Sequence, residues 1–360
     1  MEKIEKQHLE YFKVENFKGL ESLELNDIKQ FNIILGDNNV GKTSVLEALL
    51  FDTIPYIYLT NQFSVLAAKG DLNKYDPKVN YFDFFCGSIN SKINYNFQFN
   101  NSKLENLNIT EVASNSLEVH QVSDFLVDTL VSKDEFPEKL LQHNHAGKIN
   151  FVLPDFRRHR NKFEGNYFPY IKSGLVYQND LVNFFSKNIN TNPKLKKEFL
   201  ENLAILSDDI YDITIDTTTI PENQILVVLF NDEKKPLPLF MMGDGTIRLV
   251  RLILEIIICK NRRLMIDEID NGMHFSRMKK VWEVLLKVAD KNNTQLFITT
   301  HDSECLRAFK EVLETEELSK LQDKTASYTL FRNKNNIVDS VKYDFNQFEH
   351  AIDYSLNVRG

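Results

Sequence analysis

Residues 36 to 44 have the types and spacing of a phosphate-binding loop. They match the pattern G-x-x-x-x-G-K-[ST] with Gly36, Asp37, Asn38, Asn39, Val40, Gly41, Lys42, Thr43 and Ser44. In such a loop, backbone N–H groups face the anion, the lysine reaches the β- and γ-phosphates, and the hydroxyl after it ligates Mg²⁺. A chance glycine turn before a helix would leave the order of lysine and hydroxyl unexplained. The loop therefore predicts a nucleoside triphosphate site that uses Lys42 and, for Mg²⁺, Thr43.

The segments around this loop predict the elements that must hold it. The apolar run 31–35 reads as a buried strand, and residues 43–50 have the apolar spacing of a helix. A loop between a strand and the N-terminus of a helix is where the helix dipole favours an anion. The local pattern thus agrees with the motif.

Two carboxylates follow a second apolar strand, in the arrangement known as Walker B. Residues 263–266 read as the strand, and Asp267 and Glu268 follow it. A carboxylate at the first position can hold Mg²⁺ through water, and one at the second can orient and deprotonate the attacking water. Alone, this pattern would more often be an ordinary strand edge, but the phosphate loop upstream favours the catalytic interpretation. A further strand, 295–300, delivers His301 to the edge at which open parallel sheets bind ligands; the alternative is a structural histidine.

A glycine-rich turn at residues 242–246 opens directly into the apolar run 249–258. The start of a helix after such a turn is a second anion-binding position. One loop already cradles the phosphates, so a second one suggests a composite site that another subunit completes. Read by itself, the Gly-Asp-Gly sequence would be a plain loop.

The order of these motifs resembles the ABC-type ATPases. More narrowly, it resembles ATPases related to the overcoming-lysogenization-defect (OLD) proteins and to the ATPase subunits of bacterial anti-phage systems such as PARIS. Residues 11–20 look like the strand and "NF-K" turn that opens RecF-like and SMC-like heads, and residues 350–354 with Arg359 resemble the end of these ATPases. The resemblance implies ATP and Mg²⁺ as cofactors. It also implies an α/β P-loop head with a mixed, largely parallel core sheet flanked by helices, an antiparallel β extension and a helical insertion.

The resemblance also assigns roles to individual positions. The signature Leu-Ser-Gly-Gly-Gln of transporters aligns with residues 242–246, so the trans contact would come from Gly243, Asp244, Gly245 and Thr246, without the usual serine hydroxyl. Asn271, Gly272 and His274 would form the D-loop, with His274 at the usual aspartate position. His301 matches the switch histidine that senses the γ-phosphate. No segment stands out as the Q-loop, for which Gln62 is only a guess.

Length and composition favour one discontinuous ATPase domain. The motifs span positions 36 to 301 of 360 residues, and 42% of the residues are apolar. We expect a core of residues 1–51 and 207–360 that encloses an insertion, 52–206, with a β-rich part at about 80–152 and a helical part at about 179–206. No apolar stretch reaches the ~20 residues of a membrane span and no signal peptide is seen, so a cytoplasmic location is expected.

The net charge and the cysteine spacing indicate which metals, nucleic acids and nuclease activities the sequence does not favour. Cys86, Cys259 and Cys305 show no metal-binding or disulfide spacing. A net charge of −8 does not indicate non-specific nucleic-acid binding, although the basic run 157–162 leaves a local contact open. About 59 residues follow His301, fewer than a TOPRIM nuclease domain needs. The His-Asn-His tripeptide at 143–145 lacks the frame of an HNH site, so any cutting would fall to another protein.

Two function classes follow from the motifs and the resemblance. The first is an ATP-hydrolysing switch or sensor of an anti-phage complex. It would act as a homodimer or higher homo-oligomer and control a separately encoded nuclease or toxin through ATP-driven dimerisation. The second is a DNA-repair ATPase of RecF or SMC type that clamps nucleic acid directly.

Overall fold

The structure is a computed structural model that describes most of the chain. The described residues are 8–52, 58, 61–62, 64–65, 92–113, 116–122, 141–144, 148–152, 169–174, 179–204, 209–217, 224–231 and 234–354. The basic run 157–162, Cys86, His145 and Arg359 lie outside them.

The described residues form the following strands and α-helices, given in chain order. The strands are β1 (Leu9–Phe17), β2 (Leu20–Leu25), β3 (Phe31–Gly36), β4 (Lys92–Phe99), β5 (Glu105–Ala113), β6 (Ser116–Val122), β7 (Leu141–Asn144), β8 (Lys148–Val152), β9 (Tyr170–Ile171), β10 (Ile210–Asp216), β11 (Ile225–Phe230), β12 (Leu237–Pro238), β13 (Arg263–Ile266), β14 (Gln295–Thr299), β15 (Thr325–Arg332) and β16 (Val338–Tyr343). The α-helices are α1 (Lys42–Ala48), α2 (Asn179–Phe185), α3 (Pro193–Ala204), α4 (Asp244–Ile258), α5 (Met278–Asn292), α6 (Ser303–Leu313) and α7 (Phe345–Asp353).

The core sheet brings the predicted motifs to one edge. Its described strands lie in the order β16-β15-β3-β14-β13-β9, and all neighbours are parallel except β16, which is antiparallel to β15. The phosphate loop follows β3, the two carboxylates follow β13, and the histidine follows β14. Because the carboxyl ends of parallel strands meet at one edge, motifs more than 200 residues apart in sequence become neighbours.

Both faces of the core sheet are covered, which explains the apolar runs in its strands. On β3, Ile33 belongs to one buried cluster and Ile34 to the other, as the alternation of side chains in a strand requires. The first cluster contains side chains of α3, α4, α5 and α6, whereas the second contains those of α1 and of β1, β2 and β4. A strand covered on both sides has no polar face, so all residues of β3 are buried.

A second sheet extends the head. Among the described residues it is antiparallel, in the order β2-β1-β4-β5-β6-β8-β7, and it confirms the predicted β extension. The alternation in residues 93–99 is borne out, since Ile93, Tyr95 and Phe97 are buried and the residues between them are half-buried. Strands β10, β11 and β12 form a smaller antiparallel sheet.

The predicted helical part of the insertion is also present. Helix α2 continues into a π-helical turn, Ser186–Asn190, and α3 follows it. The rings of Phe185 and Phe199 meet edge to face, with their centroids 5.9 Å apart, and both lie in the same buried cluster as α4. Strand β9 lies in the core sheet itself. Buried side chains of β9, α2, the π-helical turn and α3 therefore belong to the core, and the predicted boundaries of the insertion at 52 and 206 stay a prediction.

Candidate nucleotide-binding site

The phosphate loop has a backbone that glycine alone accommodates at two positions. Gly36 ends β3 with a φ of +141°, and a Cβ there would lie 2.7 Å from the carbonyl oxygen of Leu330. Gly41 precedes α1 with a φ of +118°. Lys42 Nζ donates to the carbonyl oxygens of Gly36 (2.6 Å) and Asp37 (2.9 Å). The ammonium group therefore lies within the loop, where the motif predicts the phosphates to bind.

The turn between β1 and β2 is tied to the helix after this loop. Lys18, at the "NF-K" turn, has a φ of +51° and forms an ion pair with Glu47, which is buried in α1. Gln62, the guessed Q-loop glutamine, donates from Nε2 to the carbonyl oxygen of Glu47 at 3.0 Å. Both contacts are made to Glu47 and so tie other parts of the chain to α1.

Asp267 lies among three hydroxyl groups at the end of β13. Its carboxylate accepts from Thr299 Oγ1 at 2.7 Å, from Thr43 Oγ1 at 3.2 Å and from the hydroxyl of Tyr170 at 3.2 Å. Burial raises the pKa of Asp267 above its ordinary value. Thr43 and Asp267, the two predicted Mg²⁺ ligands, are thus in direct contact.

This pair fits what Mg²⁺ requires. The ion takes oxygen ligands and usually needs only one or two protein groups, with phosphate oxygens and water completing its octahedron. The described residues contain no cluster of three or more His, Cys, Asp or Glu that would form a cage for a metal. A hydroxyl beside a buried carboxylate is therefore a donor set for Mg²⁺ with a nucleotide, and not for an all-protein metal site.

The buried charge of Asp267 leads to a stability prediction. A raised folded-state pKa means that ionised Asp267 lowers the free energy of unfolding at neutral pH. We expect Asp267→Asn to raise the melting temperature without nucleotide at pH 7 and to abolish ATP hydrolysis. This increase in melting temperature should become smaller as the pH falls towards the ordinary carboxyl pKa of 3.8, because the wild-type aspartate then becomes neutral in both the folded and the unfolded protein. Thermal unfolding of both proteins at several pH values checks this; a lower melting temperature for Asp267→Asn at pH 7 would contradict it.

Glu268 has a constrained backbone and a partly exposed carboxylate. Its φ is +46°, and its N–H donates to Thr299 Oγ1 at 2.8 Å. Left-handed backbone at a non-glycine residue persists only where the surroundings enforce it. One carboxylate oxygen, Oε2, accepts from Ser173 Oγ, while Oε1 lies 3.8 Å from His301 Nδ1. The structure thus brings Glu268 and His301 together, with the half-exposed imidazole on the solvent side.

Arg248 connects helix α4 to the same two acids. Its guanidinium is buried, and Nη2 donates to the carbonyl oxygens of Asp267 (2.9 Å) and Glu268 (2.7 Å). Burial lowers the pKa of Arg248, although the nearby carboxylates oppose that effect. The guanidinium fixes the backbone that presents both carboxylates, and it holds the start of α4 in register with β13.

The signature segment contacts the D-loop of its own chain. A Cβ on Gly245 would lie 3.2 Å from the carbonyl oxygen of Gly272, whose own φ is +75°. Gly243, in contrast, precedes α4 in open space, with Asp244 exposed beside it. His274 is exposed, and its Nδ1 lies 2.8 Å from Ser276 Oγ. The four signature residues and the D-loop residues thus form one surface region at the start of α4.

Four residues at this site were missed by the sequence predictions: Tyr170, Ser173, Arg248 and Thr299. Arg248 could have been found from the sequence, because a charged residue just before the apolar run of α4 requires a partner if it is buried. Thr299 lies in a predicted strand, two residues before His301. Nothing in the sequence distinguished Tyr170 or Ser173 from the many similar residues of the insertion.

Fold and site together define a P-loop ATPase head of the ABC type, and comparison with known proteins gives the family. Residues 31–307 match the family described as "AAA domain, putative AbiEii toxin, Type IV TA system". This match covers more than half of the chain, so the chain belongs to that family. It supports an ATP-hydrolysing P-loop enzyme and does not distinguish the PARIS-like branch from others.

Individual relatives agree with this class. The chain is 25% identical over 342 residues to an "ATP/GTP phosphatase" of Helicobacter pylori, covering 85% of this chain and 89% of the relative. An Smc head bound to the C-winged helix domain of ScpA has a TM-score of 0.52 at 12% identity, covering 94% of this chain and 99% of that one. An Smc head of Pyrococcus furiosus, bound to the C-terminal domain of ScpA, has a TM-score of 0.52 at 11% identity, with coverages of 97% and 99%. These structures show that the fold is that of an SMC-like head.

None of the helices in the described part of the chain has the length and apolar character to cross a bilayer.

Proposed function

We propose that the chain is a Mg²⁺-dependent ATPase that works as a switch through ATP-driven dimerisation. The observation that carries the proposal is the meeting of the Thr43–Asp267 pair with the Glu268–His301 pair at one sheet edge, beside the loop that holds Lys42. The Thr43–Asp267 pair would bind the metal. The Glu268–His301 pair would activate the water that attacks the γ-phosphate.

The proposed roles follow from the contacts. Lys42 and the backbone N–H groups of residues 36–44 bind the β- and γ-phosphates. Thr43 and Asp267 would hold Mg²⁺, which neutralises charge on the phosphates. Glu268 accepts the proton of the attacking water through Oε1, and His301 donates towards the γ-phosphate. The carboxylate of Glu268 is partly exposed, so it is accessible to water at the site.

The second subunit is proposed to contribute the exposed start of α4. Gly243 and Asp244 present backbone N–H groups to solvent at a helix N-terminus, which is an anion site. Two large apolar side chains near this segment are also exposed, Met241 (63%) and Phe275 (61%). Exposed apolar groups beside an incomplete polar site are typical of a protein interface. A second copy of the chain would cover them and place its signature segment over the phosphates.

A mixing experiment tests the shared site. Gly243→Glu adds a bulky anion where the residue has ordinary φ and open space, so the subunit itself should fold normally. Gly245 is unsuitable, because a side chain there would press on its own D-loop. Gly243→Glu should bind ATP yet hydrolyse none, and Gly243→Ala, the matched control, should keep most activity. Lys42→Ala should also be inactive.

Co-expression of the two inactive variants, each with its own tag, yields the mixed dimer. It contains one site with intact Lys42 and intact Gly243. Random assortment should restore at most about a quarter of wild-type hydrolysis before the mixed species is purified. A purified mixed dimer without activity would show that each site lies within one subunit and would overturn this part of the proposal.

We further propose that the switch controls a separately encoded toxin or nuclease in an anti-phage complex. The family description names a putative toxin of a toxin–antitoxin system, which supports a role in such assemblies. Purification of the tagged protein from its native host, followed by mass measurement, should give a stoichiometric second protein with a nuclease or toxin fold. Recovery of the ATPase alone under conditions that preserve other complexes would count against an effector.

A direct clamp on nucleic acid, as in RecF or SMC proteins, is the second candidate. The SMC-like fold is compatible with it, but the net charge of −8 is unfavourable for backbone contacts. Titration with duplex DNA at several salt concentrations separates the candidates. Tight binding that weakens steeply with salt would favour the clamp, and no binding at low salt would favour the switch.

A further inference from the structure

Ser173 contacts the proposed general base from an unexpected part of the chain. Its Oγ donates to Glu268 Oε2 and accepts from Asn271 Nδ2 at 2.8 Å. Asn271 Nδ2 also lies 3.5 Å from the same oxygen of Glu268. Two residues from separate segments therefore hold one oxygen of the carboxylate, and the other oxygen lies towards His301.

The position of Ser173 is fixed by the core sheet. Strand β9, two residues upstream, pairs in parallel with β13. The N–H of Asp267 donates to the carbonyl oxygen of Ile171 at 2.8 Å. Beyond the strand, Arg248 Nη1 lies 3.5 Å from the carbonyl oxygen of Lys172. A shift of residues 171–172 would break these contacts, so the backbone next to Ser173 is held against the core sheet and against Arg248.

Glu268 needs such a support. Its carboxylate is partly exposed and ends a flexible side chain with several rotamers. A base that activates water must keep one oxygen within hydrogen-bond reach of that water. Holding Oε2 removes most of the alternative orientations and leaves Oε1 for the proton.

We propose that Ser173 is a positioning residue for Glu268. It acts together with Asn271, and its effect is on the hydrolytic step and not on nucleotide binding. The inference rests on the proposed role of Glu268 as general base. It adds a residue outside the Walker, signature and D-loop motifs to the machinery for hydrolysis.

Ser173→Ala removes the donor without adding bulk. We expect kcat for ATP hydrolysis to fall about tenfold while KM and the affinity for ATP stay within about twofold, since a lost oriented hydrogen bond is worth about 1.4 kcal/mol. Ser173→Thr keeps the hydroxyl and should retain most of kcat. Ser319→Ala, at an exposed serine whose Oγ donates to the carbonyl oxygen of Glu316, is the matched control and should behave as wild type.

A double-variant comparison separates positioning from a general loss of structure. In the Glu268→Gln background, Ser173→Ala should not slow the residual single-turnover hydrolysis further, because its effect passes through the carboxylate. An equal slowing in both backgrounds, or an unchanged kcat for Ser173→Ala in an active enzyme, would overturn the inference. A wild-type protein that hydrolyses no ATP would instead overturn the proposed function, and the role of Ser173 with it.

Discussion

Glu268→Gln is expected to lower steady-state ATP hydrolysis by about 10²- to 10⁴-fold, the usual contribution of a general base. The substitution keeps the size of the side chain and an oxygen that can accept from Ser173, but it removes the group that takes the proton from water. ATP binding should be retained, because the phosphates are proposed to bind to the loop after β3. Phosphate release and binding of a labelled nucleotide, measured on the same preparation, check both parts.

Glu304→Gln is the matched control for this variant. Glu304 is an exposed carboxylate in the first turn of α6, close in sequence to His301, and its loss should leave turnover unchanged. If Glu268→Gln hydrolysed ATP at the wild-type rate, the base would lie elsewhere and the assignment of Walker B would be wrong.

Lys42→Ala is expected to weaken ATP binding by about 100-fold or more, because charge-assisted contacts to phosphate are among the strongest that a side chain makes. Its ammonium group already lies between the carbonyl oxygens of Gly36 and Asp37. Equilibrium titration with a fluorescent ATP analogue measures the loss. Lys197→Ala, at a largely exposed lysine of α3, is the control and should bind as wild type.

The melting temperature of Lys42→Ala without nucleotide completes this test. A small change would show that the loop keeps its shape without the two contacts to its carbonyl groups, so the lost affinity reports on phosphate binding. Unaltered ATP affinity in a folded protein would mean that the loop is not the nucleotide site.

Much of the fold was predictable where local pattern and tertiary position agree. The strands before the phosphate loop, the two carboxylates and His301 are short apolar runs that end in polar residues, and each appears within one or two residues of its predicted bounds. The helix from 244 to 258 begins at the predicted glycine turn. The strands are almost entirely buried and most of the helix is too, so their sequences carry a strong apolar signal.

The site was only partly predictable, because its supporting residues come from distant segments. Tyr170 and Ser173 reach the two carboxylates only because β9 pairs with β13, and a two-residue strand carries almost no periodicity. The close approach of Gly245 to Gly272 is likewise a tertiary contact that neither segment reveals alone. Motifs predict the groups that touch a ligand, whereas the groups that orient them depend on sheet order.

The molar mass of Glu268→Gln, measured by light scattering with and without Mg²⁺ and ATP, shows whether ATP drives dimerisation. The variant should bind ATP without consuming it and so accumulate the closed form. We expect the protomer mass of 42.0 kDa with EDTA or ADP and at least twice that mass with Mg²⁺ and ATP. Adding Gly243→Glu to the variant should return it to the lower mass. A protein that stays at 42.0 kDa with ATP bound would contradict ATP-driven dimerisation.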